Sequence, residues 1–211
     1  MIGALIVRRT SNNWFAIAAD TVCAESMDAD PRTPVHVRDA DPELDGQACA
    51  AIYAPYVAGT AFTFEYEAPS AHEMGRRIAA AYAWLIAEVD GRPIGYAYGG
   101  RHQARAAYRW AADVSVYVER EHRGAGAGRA LYTQLFERLR AAGLWTLCAG
   151  VTQPNPASDG LHRAMGFVQV GTYRRIGWKA GAWHDVLWWQ LDLHPGEPGP
   201  PPPELDLPRR S

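Results

Sequence analysis

A carboxylate, a glycine-dense turn and a cluster of guanidinium groups lie close together in the middle of this chain. Along Asp113-Val-Ser-Val-Tyr-Val118, Val114, Val116 and Val118 take one face while Asp113, Ser115 and Tyr117 take the other, the two-residue period of a pleated strand. Asp113 therefore projects from a sheet. Beyond Gly128, Leu131, Leu135 and Leu139 recur every four residues up to Gly143, the stripe of an amphipathic helix with a glycine stop. Arg123, Gly124, Ala125, Gly126, Ala127 and Gly128 thus fall at a helix N-terminus. Unpaired N–H groups and the positive end of the helix dipole favour an anion there, and glycines let a diphosphate approach the backbone. The alternative is a plain tight turn, where glycine is common. Two other phosphate motifs fail: no Lys-Ser or Lys-Thr follows, and Arg129 stands where a dinucleotide fingerprint needs its third glycine.

Arg105, Tyr108 and Arg109 precede the carboxylate. Guanidinium groups bind carboxylate and other oxyanions bidentately, which suits a small anionic ligand, although a solvated loop would have the same composition. Phe64, Tyr96 and Trp178 could wall an apolar pocket or simply fill the core. His184 has no second histidine or cysteine at ligand spacing, so no metal is expected.

The elements that must position these groups follow from periodicity. Val35 to Arg38 reads as a strand, and Asp41-Pro42 as the start of a helix that turns Leu44, Ile52, Tyr53 and Tyr56 inward. Ser70 with Glu73 is a capping pattern for a second helix. Trp84 to Val89, Asp90-Gly91 and Pro93 to Tyr98 read as a hairpin. After the Asp113 strand and the Leu131 helix come a strand at Leu144 to Val151, a short helix at Ala157 to Met165, and strands near Phe167 to Tyr173 and Asp185 to Leu193. The order is that of an α+β domain.

Arg123-x-x-Gly126-x-Gly128 after a valine-rich strand resembles the coenzyme A signature of the Gcn5-related N-acetyltransferases (GNAT). Thr63-Phe-Glu-Tyr-Glu67, Arg105-Ala-Ala-Tyr-Arg109, Leu161-His-Arg-Ala-Met-Gly-Phe167 and Trp183-His-Asp-Val186 occur in an order similar to that of the phosphinothricin and methionine sulfoximine acetyltransferases. The resemblance spans roughly Val35 to Leu193 and implies a mixed twisted sheet with splayed central strands, flanked by helices. It implies acetyl-CoA as co-substrate, with pantetheine bonded along Val116, Tyr117 and Val118 like an added strand, and Asn155 as a further cofactor contact. Asp113 falls where the family carries a glutamate thought to act as general base; aspartate is one methylene shorter, and the alternative is a strand-end carboxylate paired with Arg109. His162 falls where the narrower family has a histidine and the wider one a tyrosine thought to protonate the thiolate. A surface or capping histidine is its other reading, as loop capping is for Asn155. Phe64, Arg105, Tyr108 and Arg109 would hold the acceptor. The implied reaction is direct attack of a small amino-acid-like amine on the thioester. Transfer to another amine or a peptide N-terminus, or a catalytically silent coenzyme A sensor, are the alternatives. Homodimerisation is implied by the resemblance only.

Composition agrees with one catalytic domain: 211 residues, 48% hydrophobic and 21% charged, fit a single globular core. A net charge of −2, with 21 basic residues balanced by 23 acidic ones, supplies no footprint for nucleic acid or a membrane surface. Cys23, Cys49 and Cys148 form neither a disulfide framework nor a zinc motif, which points to a reducing cytoplasm. Residues 1–34 read as an extension without sustained period, expected to be flexible; residues 35–193 form the domain, and the proline-rich 194–211 a disordered tail.

Overall fold

The computed structural model describes residues 34–196, 201 and 204–207; the expectation of a flexible extension therefore falls almost wholly outside the described residues. One mixed sheet is built from β1 (His36–Asp39), β2 (Ala83–Val89), β3 (Arg92–Arg101), β4 (Ala111–Val118), β5 (Thr146–Thr152), β6 (Val168–Lys179) and β7 (Ala182–Asp192). Their spatial order is β1-β2-β3-β4-β5-β7-β6. Among the described residues β4 and β5 form the one parallel pair, and every other neighbour runs antiparallel.

Helices cover both faces. α1 (Gly46–Gly59) and α2 (Ala71–Ala80) pack with Trp84, Ile86 and Tyr96 on one side. α3 (Ala127–Ala141) packs with Leu85, Ala87, Ala97 and Val114 on the other, where α4 (Pro156–Ala164) also lies through Leu161. Alternate residues of β2 thus enter different cores, which is why Ala83 to Ala87 is buried throughout rather than half-exposed. The β2–β3 hairpin closes through Asp90 and Gly91, with φ of 51° and 74°, the left-handed pair that a two-residue turn requires.

The feature that makes the site is a parting of strands. Ala111 pairs with Thr146, Ala112 with Leu147 and Asp113 with Cys148, and there the β4–β5 ladder ends. β5 continues against β7 as far as Thr152 opposite Val186, while β4 stays with β3 as far as Val118 opposite Gly95. A V opens between the two arms, with Asp113 at its vertex, as the resemblance implied.

Two expectations differ from the structure. The first helix begins at Gly46, not at Asp41-Pro42, and Leu44 is 77% exposed. Asp41 Oδ1 accepts from the N–H groups of Glu43 (2.8 Å) and Leu44 (3.3 Å), a side-chain turn that competes with helix. Asp45 is then held by Arg38 at 2.7 and 2.8 Å instead of capping. At the other end, Leu205 and Leu207 pack against the main core and Asp206 N–H donates to Ala142 O at 2.9 Å, so part of the expected tail is anchored. Among the described residues no helix is long and apolar enough to cross a membrane, and Cys49 and Cys148 are free thiols.

Candidate active site

The V encloses a cleft of about 700 Å³ lined by Val114 to Val118 on one arm, Ala149 to Thr152 on the other, and the glycine turn at its mouth. Arg123, Gly124, Gly126, Ala127 and Gly128 all line it; Ala125 does not. Gly124 and Gly126 have φ of 79° and 91°, and a Cβ on either would meet nothing within 4 Å. Backbone conformation, which L side chains rarely adopt, therefore favours glycine at both positions, and no protein atom crowds them. Gly126 is the left-handed N-cap of α3, so the first turn of that helix opens on the cleft with its N–H groups unpaired within the helix. Gly128 is tight for another reason, since a Cβ there would lie 3.3 Å from Leu161. A fixed row of amides at the end of an apolar slot fits a diphosphate joined to an extended arm.

The expected strand-like pairing along β4 needs one amendment. The N–H and C=O of Val118 are both engaged by the Tyr56 hydroxyl, at 3.2 and 2.6 Å, and the Arg123 guanidinium lies 5.0 Å from the Tyr56 ring centre. Val116 is thus the position with main-chain groups facing the parted side, while Val118 contributes its side chain. Tyr117 lines the cleft yet packs edge-on against Tyr53 and Tyr56. Asn155 caps α4, its side-chain oxygen accepting from Ser158 N–H at 3.2 Å, and it also lines the cleft.

At the vertex, Asp113 is not paired with Arg109. Its Oδ1 lies 2.6 Å from Nδ1 of His102, the residue just past β3. Burial pushes the Asp113 carboxyl up from its ordinary value, opposed by that hydrogen bond. Sequence reasoning missed His102, which belongs to no motif. The only available signal is register, since Gly100 faces Asp113 across β3–β4 and brings the next residues to the same end. Arg109 instead lies 4.7 Å over the Trp110 ring, with Nε donating to Ala106 O at 3.2 Å.

His162 is 3% exposed in the wall of the cleft. Its Nδ1 faces the Ser158 carbonyl oxygen at 2.7 Å and its Nε2 faces the Tyr132 hydroxyl at 3.3 Å. Nδ1 must carry the proton to face a carbonyl, so Nε2 accepts from Tyr132. Burial pushes the His162 pKa down, which keeps the ring neutral near pH 7. A ring bonded in this way holds Tyr132 in place, with its Nδ1 turned to the Ser158 carbonyl oxygen.

Across the vertex, a second cavity of about 410 Å³ is lined by His102, Gln103, Arg105, Tyr108, Tyr173 and Trp188. Arg105 and Tyr108 are therefore brought together as expected, and Tyr173 and Trp188 are additions. Phe64 lines neither cavity; its ring fills the space over Gly177, where a Cβ would sit 2.2 Å from it. Tyr96 is a core residue stacked on Trp84, and Trp178 is 48% exposed beside Trp183. Lys179, buried, donates to Val57 O and Thr63 O at 2.8 Å each, and so pins the segment that carries Phe64.

Burial pushes the Cys148 thiol up to about 11, so it is not a thiolate at neutral pH and is a poor nucleophile. His102, Asp113 and Cys148 have donor atoms within 4.8 Å of one another, and so do Glu119, Glu121 and His122. These are the groups among the described residues that could hold a divalent cation.

A parallel pair that splays beside a glycine turn at a helix N-terminus defines the acyl-CoA N-acyltransferase architecture. The sequence model of the Acetyltransferase (GNAT) domain matches residues 42–188, and the chain belongs to that family of N-acetyltransferases. It is 38% identical to a phosphinothricin N-acetyltransferase of Streptomyces viridochromogenes over 82% of this chain and 94% of the relative. It is also 38% identical to an L-methionine sulfoximine/L-methionine sulfone acetyltransferase of Pseudomonas paraeruginosa, over 56% of this chain and 70% of the relative. The crystal structure of a phosphinothricin acetyltransferase from Sinorhizobium meliloti in complex with acetyl-CoA superposes with a TM-score of 0.77 at 32% identity, covering 82% of this chain and 95% of that one.

Proposed function

We propose that this protein transfers the acetyl group of acetyl-CoA to the amino group of a small amino-acid-like acceptor of the phosphinothricin or methionine sulfoximine type. The observation that carries this reading is the position of Asp113 where the arms part. On one side lies a slot ending in helix amides, and on the other a cavity bearing Arg105. The slot fits a diphosphate carrier whose thioester reaches the vertex. Arg105 supplies a bidentate partner for an anionic head, with Tyr108 beside it.

Within that frame the reaction needs a neutral amine, a polarised carbonyl and a proton for the departing sulfur. The Asp113–His102 pair is the proton-accepting apparatus, and the row of amides fixes the carrier so that attack is effectively intramolecular. Direct attack in a ternary complex is favoured over an acetyl-cysteine route because the Cys148 thiol stays protonated. The exposed Tyr173, Ile176, Trp178 and Trp183 on β6 and β7 support a homodimer through that hairpin. The free thiols of Cys49 and Cys148 support a cytoplasmic home, where acetylating such an acceptor would serve resistance to it.

The test is thiol release from acetyl-CoA across a panel of amines, with phosphinothricin, methionine sulfoximine, ordinary amino acids and peptides side by side. Turnover is expected to be highest with the first two. Tight acetyl-CoA binding without turnover on any amine would point to a sensor instead.

A further inference from the structure

We propose that His102, not Asp113, takes the proton from the acceptor ammonium, with Asp113 as its positioning partner. The proposal rests on the acetyltransferase reading and refines its chemistry. Nδ1 of His102 is committed to Asp113 Oδ1 at 2.6 Å. A carboxylate at that distance selects the Nδ1–H tautomer and leaves the lone pair on Nε2. The His102 ring lines the 410 Å³ acceptor cavity; the Asp113 side chain, although the more exposed of the two at 42% against 20%, lines neither that cavity nor the cleft, so within the cavity it is the imidazole that an acceptor meets. The ring stands edge-on to Tyr108 and Trp188, at 5.9 and 6.4 Å between centres, which limits its rotation. An aspartate falls short of the position a glutamate would reach, and the interposed imidazole makes up that reach.

The step balances without a further reactant. An N–H bond of the ammonium breaks with its electron pair left on nitrogen, and Nε2–H forms, giving an imidazolium stabilised by Asp113. The free amine bonds the thioester carbonyl carbon, and the C–S bond breaks with its pair leaving on sulfur. The second proton lost by nitrogen neutralises the thiolate, and the imidazolium returns its proton to solvent. The titratable and charged groups around His102 are Asp113 on β4, Cys148 on β5, Arg105 and Tyr108 in the adjoining loop, and Tyr173 on β6.

His102→Asn tests the proposal, because its amide can still donate to Asp113 but offers no second ring nitrogen. With an acceptor that the wild type acetylates, kcat is expected to fall by about 10²- to 10⁴-fold, with KM for acetyl-CoA and the melting temperature unchanged. Added imidazole should restore part of the rate in His102→Ala. Independently of turnover, ring ¹⁵N shifts of the free protein should report the neutral ring as the Nδ1–H tautomer with its lone pair on Nε2, and Asp113→Asn should weaken that preference. A His102→Asn rate within about threefold of wild type while Asp113→Asn is inactive would overturn the proposal, leaving the carboxylate as base. So would an Nε2–H tautomer. A wild type that releases no coenzyme A with any amine would remove the parent reading, and this one with it.

Discussion

At the scale of single residues, His162 is where sequence position and chemistry diverge. Its place after Asn155 marks it as a proton donor by resemblance, yet Ser158 O and Tyr132 Oη occupy its two nitrogens at 2.7 and 3.3 Å. Removing the ring would leave the buried Tyr132 hydroxyl without that partner, and an unsatisfied buried polar group costs about 1–3 kcal/mol. His162→Leu is therefore expected to lower the melting temperature by several degrees while kcat falls less than about tenfold, well below the loss on removing a general acid or base. Thermal melts and acetyl-transfer rates on the same preparation check this; a large rate loss in a protein of unchanged stability would restore the donor role. The places of Asp113 and Arg105 in the fold, at the strand parting and in the second cavity, were legible because each sits at a fixed offset from a local pattern. His102 was not, because its partner lies across a nine-residue excursion between β3 and β4, and no residue type announces a contact that only register creates. Arg109 turns over Trp110 and Phe64 over Gly177 for the converse reason: suitable chemistry in suitable sequence order does not say which way a side chain turns.

Elements were read best where period and punctuation agree. The alternating β4, the glycine turn and the four-residue leucine stripe of α3 all lie where the sequence puts them, because each is specified by neighbours along the chain. The start of α1 was misread because Asp41 bonds forward to the next amides, a choice that a cap-plus-proline pattern cannot distinguish from a helix start. The β4–β5 splay is invisible to local pattern altogether and came only with the resemblance. These points bear on how the glycine turn works. Gly126 has φ of 91° with empty space where a Cβ would go, so alanine there meets a conformational penalty of roughly 1–2 kcal/mol and no clash. The backbone can relieve that penalty only by rotating the first amides of α3. Gly126→Ala is expected to raise KM for acetyl-CoA by about tenfold or more, the equivalent of about 1.4 kcal/mol, with KM for the acceptor unchanged and a loss of only a few degrees in melting temperature. Steady-state kinetics with each substrate varied in turn would reveal it. Equal effects on both constants would mean that the turn shapes the whole site and not the carrier end alone.

Across the whole molecule, the layer formed by α1 and α2 is tied down by two buried-edge ionic networks. Arg38 joins Asp45 to Glu88, linking β1, the approach to α1 and β2. Arg77 on α2 donates to Glu65 at 2.7 and 3.1 Å, and Tyr53 on α1 donates to the same carboxylate at 3.0 Å. Arg77 holds the Glu65 carboxyl below its ordinary value, and Arg38 does the same for Asp45 against the opposing effect of burial. A carboxyl depressed in the fold contributes stability above its unfolded value, near pH 4, and loses it as pH falls through the folded one. The protein is therefore expected to lose stability steeply below about pH 4, through this layer first. The neutral, buried His162 adds a separate loss that begins as pH falls through the ordinary imidazole range near 6.5, because the unfolded ring binds the proton more readily. Arg77→Met separates the two: it removes the Glu65 contribution and leaves His162 untouched. Urea unfolding at pH 7, 5 and 3.5 should show the variant less stable than wild type at pH 7 and 5, with the gap narrowing at 3.5, as pH drops below the unfolded carboxylate value toward the depressed folded one. A gap that stays constant to pH 3.5 would mean that Arg77 acts through packing of its stem rather than its charge. Because Tyr53 and Tyr56 of the same helix reach Glu65 and Val118, loosening this layer in acid should also release the cleft edge, and acetyl-CoA affinity should fall over the same pH interval as stability.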